Sequence, residues 1–118
     1  MLAENDLAAR QAAEIAAALA HPVRLQILAL LAQGGAYVMD LTAALGRRQA
    51  NISQHLAVLR AAGLVQAERE GMAVRYSLRS AKIPQVLDLL QALGAALPTE
   101  TYPPEGRWRR RRCRGRCR

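Results

Sequence analysis

Apolar positions along the first half of the chain recur at helical spacing, and the spacing then changes. Residues 7–20 are Ala-rich with Ile15 and Leu19 four apart, which predicts a helix. Pro22 follows His21 and suits the first position of a second helix. Val23, Ile27, Leu28, Leu30 and Leu31 carry that helix to about residue 32, with an apolar face wide enough to be largely buried. Gln33-Gly34-Gly35 ends it. A short helix is predicted over residues 39–45 with Gly46 as its stop, and another over 48–62 closed by Gly63. Residues 64–69 and 73–78 then read as two strands around a turn at Glu70-Gly71-Met72. Val74, Tyr76 and Leu78 alternate there with Arg75 and Ser77. A last helix covers residues 83–97, with Pro84 in its first turn and a stripe of Val86, Leu87, Leu90, Leu93 and Leu97. Pro98, Pro103 and Pro104 break the chain beyond it. The prediction is one mainly α domain over residues 1–97 with a small antiparallel β-hairpin, in the order α-α-α-α-β-β-α. Residues 98–118 have too little apolar material to fold alone and read as linker and tail.

A short helix, a glycine, a second helix and then a hairpin is the layout of a winged helix-turn-helix. In that layout the second helix of the pair enters the DNA major groove and the hairpin lies alongside. At 100° per residue, Ile52, Leu56 and Leu59 form the buried face of the second helix, leaving Ala50, Gln54 and Ala57 opposite, with Asn51, Ser53 and Val58 at the sides. Amides bond adenine edges bidentately and Ala meets a thymine methyl, so Gln49, Asn51, Ser53 and Gln54 are candidate base readers. Arg47 and Arg48 precede the helix and suit phosphate or base contact. His55, about 60° from the centre of the buried face, reads as a structural or phosphate-contacting group. Arg69 and Arg75 are the candidate contacts of the hairpin, with Glu68 and Glu70 beside them.

Charge sharpens this picture. The net charge is +8, yet residues 107–118 hold eight Arg and no acid, so the body of the chain is neutral. Within the body, residues 21–83 carry eight basic groups against Asp40, Glu68 and Glu70, and residues 41–67 carry no acid at all. A central basic segment between acidic flanks points to an anionic partner, nucleic acid most simply, and with the helix-turn-helix layout to double-stranded DNA. With no Phe and one Trp the core must be aliphatic, which disfavours an aromatic-rich sandwich. The longest apolar runs are six residues, so no membrane span is expected. The acidic N-terminus does not read as a signal peptide, and both cysteines fall in the tail, so a reducing cytoplasm is the expected setting. Ser53 and His55 point about 200° apart on one helix and form no nucleophile–base pair. No phosphate loop, His-Glu-x-x-His or Cys-x-x-Cys pattern occurs, so an enzyme is not expected.

Residues 19–28 (LAHPVRLQIL) and 52–65 (ISQHLAVLRAAGLV), with Arg69-Glu70-Gly71 and residues 74–78 (VRYSL), closely resemble the ArsR/SmtB family of bacterial repressors. The resemblance spans about residues 7–97. It implies a homodimer packed through its first and last helices, bound to an inverted repeat and released by an inducer. The Ala-rich first helix and Leu-rich last helix independently offer more apolar surface than a small domain can cover. The chain departs from the family at its metal sites. Where many members carry Cys-Val-Cys-Asp this sequence reads Tyr37-Val38-Met39-Asp40, and the last helix holds Asp88 but no His. His21, at a helix start, is expected to pack or cap. The remaining candidate ligands are Cys113 and Cys117. Neighbouring arginines favour their thiolates, and the pair suits a soft metal or metalloid (arsenite, zinc or copper) or a disulfide. Three readings stay open on sequence: an inducible repressor, a repressor responsive to thiol redox or sulfur species, and an architectural or RNA-associating basic protein without operator specificity.

Overall fold

The computed structural model describes residues 1–97; the linker and tail expected over 98–118, with Cys113 and Cys117, lie outside the described residues. Two units are distinguished, residues 1–88 and residue 89 onward.

After a short 3-10 turn, α1 (Asp6–Leu19) opens at Asn5, whose side chain accepts a hydrogen bond from the Ala8 N–H at 3.0 Å. Asp6 in the first turn suits the positive end of the helix dipole and pairs with Arg10 one turn on, at 2.9 Å. α2 (Pro22–Leu31) follows with Pro at its first position and His21 as N-cap. The imidazole Nδ1 of His21 accepts from the Val23 N–H at 3.1 Å, the capping role expected of it. β1 (Ala36–Tyr37) leads directly into α3 (Val38–Leu45), and the Tyr37 N–H is held by the Asp40 carboxylate at 3.0 Å. α3 ends at Gly46 in the left-handed region (φ 63°), where a side chain would be strained. α4 (Gln49–Ala61), the hairpin strands β2 (Val65–Glu70) and β3 (Ala73–Leu78), and α5 (Ile83–Ala96) complete the order.

The helices match the sequence expectation to within a residue or two, and the structure adds one strand. β1 pairs antiparallel with β3, Ala36 opposite Tyr76 and Tyr37 opposite Arg75, so the sheet is three-stranded in the order β1-β3-β2. Two residues are too few to show an alternation, which is why the strand leaves no periodic signal. Its presence makes β3 the central strand. Arg75 and Ser77, expected to face water, are therefore half-buried like Val74, Tyr76 and Leu78.

The core of residues 1–88 is aliphatic. Val23, Ile27, Leu28 and Leu31 of α2 meet Leu41 of α3, Ile52, Leu56 and Leu59 of α4, Leu64, Val65 and Ile83. Most of these are all but sealed from solvent, so each contributes about 1.5–3 kcal/mol relative to an exposed side chain. α2 lies at the centre, and α3 and α4 pack on it and on each other. α1 leaves Leu7 exposed at its start. In the second unit, Leu89, Leu90, Leu93 and Leu97 are all exposed. No single helix among the described residues is long and apolar enough to cross a membrane.

Candidate nucleic-acid interface

Gly46 lets the chain reverse out of α3, and Arg47 and Arg48 form the turn into α4, both exposed. Arg48 is the N-cap of α4 in an extended conformation and makes no side-chain cap, so the first-turn N–H groups of α4 keep their donor capacity. No acid occurs in that turn. Ile52, Leu56 and Leu59 anchor α4 in the core and leave Ala50, Ser53, Gln54 and Ala57 exposed, as their spacing predicts; Gln49, which the spacing sets nearer the buried face, is exposed as well at the start of the helix. The result is a helix that presents amide, hydroxyl and methyl groups at its N-terminal half, with two arginines at its entrance. This is the chemistry of base-edge reading combined with phosphate positioning.

Two expected members of this surface are placed differently. His55 is buried, 8% exposed, and belongs to the core side of α4. Its Nδ1 accepts a hydrogen bond from Nε of Arg24 at 3.2 Å, and its ring lies 4.3 Å from that of His21. Burial, reinforced by the nearby charges of His21, Arg24 and Arg47, lowers its pKa below the ordinary 6.5. His55 thus sits on the core side of α4 with its Nδ1 already engaged, away from the exposed face. Asn51 is half-buried, and its Oδ1 is enclosed without a hydrogen-bond partner. Bidentate recognition of adenine needs both the oxygen and the nitrogen of an amide. In this conformation Asn51 cannot supply it, whereas Gln54 can.

The hairpin separates its two arginines. Cross-strand partners share a face, so Arg75 lies with Tyr37 and Glu68, whereas Arg69 lies on the other face with Val74. Arg69 is exposed. The Arg75 guanidinium rests over the backbone of Gly35, in the space a Cβ there would occupy. Only glycine permits this approach, and it draws Arg75 toward the body of the protein. On the same face the Tyr37 hydroxyl donates to the Glu70 carboxylate, and that hydrogen bond pushes the phenol above its ordinary value. The sheet therefore brings Arg69 and Arg75 to different sides, and Arg69 is the freer of the two.

At the position of the family's thiolate segment the structure shows Tyr37 engaged with Arg75's strand and with Asp40, and Met39 exposed. Among the described residues no group of three or more His, Cys, Asp or Glu could hold a metal ion. The role of Arg24 was not legible in the sequence. Its partner lies 31 residues away, and only the packing of α2 on α4 brings the two together.

A sequence profile for the arsR family of bacterial regulatory proteins matches residues 21–67, from the N-cap of α2 into β2. The chain is 40% identical over 88 residues to the HTH-type transcriptional regulator CmtR of Mycobacterium tuberculosis, covering 75% of each protein. It is 42% identical over 78 residues to the biofilm growth-associated repressor of Agrobacterium fabrum, covering 66% of this chain and 67% of that protein. Among solved structures it is similar to the homodimeric winged helix-turn-helix DNA-binding domain of a possible ArsR-family regulator from Mycobacterium bovis. That likeness has a TM-score of 0.69 and 34% identity, over 76% of this chain and 83% of the other.

Proposed function

The chain belongs to the arsR family of bacterial regulatory proteins and is a transcriptional regulator, and from that premise we propose how it recognises DNA. It acts as a homodimeric repressor on an inverted-repeat site in double-stranded DNA, in the cytoplasm where the chromosome lies. α4 enters the major groove. Gln54 reads a base edge, with Gln49 and Ser53 beside it, and Arg47 and Arg48 hold flanking phosphates. Arg69 supplies a contact from the hairpin. The observation that carries this reading is the outward, acid-free N-terminal half of α4, held by three buried aliphatic anchors and entered through two exposed arginines.

Dimerisation is supported by exposed Leu7 of α1 and the exposed leucines of the C-terminal part of α5 and by the homodimeric relative. Twofold pairing sets two reading helices roughly 34 Å apart, one turn of DNA, and so demands a palindromic site. The test is enrichment of duplexes from a random pool by the full chain, followed by competition with bulk DNA. Recovery of an inverted repeat held against excess competitor is the expected result. Uniform binding to every duplex would favour an architectural protein and overturn the repressor reading.

For the inducer we propose the thiols of Cys113 and Cys117. They would bind a soft metal or metalloid such as arsenite, zinc or copper, and two chains would together supply the four ligands tetrahedral zinc requires. The competing oxidant reading has peroxide close the pair to a disulfide and leave as water. Titrating each agent against the DNA complex of the wild type and of a Cys113→Ser, Cys117→Ser variant separates them. Release at the same dose in both proteins would remove these thiols from the mechanism.

A further inference from the structure

Arg24 stands in the first turn of α2, yet its guanidinium serves two other helices. Nη1 donates to the carbonyl oxygens of Ala17 at 3.4 Å and Ala18 at 3.3 Å, at the C-terminal end of α1. The last carbonyls of a helix have no partner within it, and a cation there also complements the helix dipole. Nε donates to Nδ1 of His55 on α4. One side chain thereby fixes the end of α1, the start of α2 and the middle of α4 to one another. His55 follows Gln54 directly, so the group that receives this bond is adjacent to the side chain expected to read a base.

The bond has a condition. Nδ1 can accept only while it carries no proton, which requires the neutral ring with its hydrogen on Nε2. A protonated His55 would face the guanidinium of Arg24 with a second positive charge in a buried setting. The other groups facing it are no help: α2 contributes the His21 ring, the turn before α4 contributes the positive charge of Arg47, and α1 contributes backbone carbonyls already engaged by Arg24. Among the described residues no carboxylate figures in the charges acting on His55. An apolar residue at this position would fill the core at less cost, so stability alone does not account for the pair.

Resting on the DNA-reading role of α4 given above, we propose that Arg24 and His55 are positioning residues, which seat the reading face of α4 against α1. Protonation of His55 unseats it. The protein then keeps its general affinity for DNA, which comes from exposed arginines, and loses its preference for one sequence.

The experiment uses the full chain and two probes: a duplex enriched by the wild type from a random pool, and a scrambled duplex of the same length and composition. Kd for each is measured at about pH 7.5 and about pH 5, the lower value chosen because His55 titrates below the ordinary histidine value. The wild-type preference is expected to fall severalfold on acidification, as the proton taken up by His55 displaces the hydrogen bond from Arg24, with the scrambled Kd nearly constant. Arg24→Met keeps the alkyl stem and should show the reduced preference at both pH values. His55→Asn offers an acceptor near the Nδ1 position that cannot titrate, and should hold its preference at both. A wild-type preference that is flat with pH, or a His55→Asn variant that falls in parallel with the wild type, would overturn the proposal. If Arg24→Met does not fold, those two comparisons decide it. Enrichment of no duplex at all would instead overturn the DNA-reading role itself, and the positioning role with it.

Discussion

Asn51 and Gln54 carry the same amide chemistry three residues apart on α4, and the packing gives them different fates. Gln54 is exposed; Asn51 has its oxygen enclosed and unpartnered. Gln54→Ala is therefore expected to cost about 1–3 kcal/mol on the enriched duplex and little on the scrambled one, read as two titrations. Asn51→Ala should cost clearly less on the same duplex. It should also raise the melting temperature slightly, since an unsatisfied buried polar atom is relieved. His55 adds a pH signature. Its pKa in the folded protein lies below the unfolded value of 6.5, so the unfolded chain binds more protons as the pH falls through that interval. Stability is present in full above pH 6.5 and declines below it. Thermal unfolding followed across this range should show the decline in the wild type, and a shallower one in His55→Asn.

At the scale of elements, the helices were legible because each has a repeat, a start and a stop written locally. Pro22, Gly46 and Gly63 mark boundaries, and aliphatic residues at helical spacing mark the inward face. Ile52, Leu56 and Leu59 sufficed to predict which way α4 faces, and hence which side chains it offers. Three things were not legible, each for a physical reason. β1 is too short to have a period. The separation of Arg69 from Arg75 depends on register and on the open space at Gly35. The Arg24–His55 bond joins helices that only the folded core brings together. The turn between α3 and α4 can be tested on its own. Gly46 has a φ of 63°, and nothing lies within 4 Å of the position a Cβ would take, so Gly46→Ala meets backbone strain without a clash. A loss of about 1–2 kcal/mol is expected in urea unfolding, with an unchanged slope.

The whole molecule combines a neutral body with a strongly basic tail, and the two contribute separately. Leu93 is 55% exposed on α5, and dimer formation through this helix predicts that Leu93→Asp shifts the protein to monomer in sedimentation. Binding to the inverted repeat should then weaken far more than binding to a half-site. The eight arginines of residues 107–118 would, on DNA, add affinity without sequence information. Their removal should flatten the dependence of log Kd on log salt, by up to about 0.9 for each phosphate that the tail neutralises. The preference for the enriched duplex should remain, as expected if it resides in α4.

Tyr37 joins three parts of this molecule at one residue: it pairs with β3, begins α3 and reaches Glu70 on β2. The hairpin is consequently not an interchangeable module. Transplanting β2 and β3 alone from another member into this chain would leave the graft without its hinge pin. A chimera that keeps the native seating would have to carry residues 35–40 along with the strands, because what fastens the hairpin to the body lies outside it.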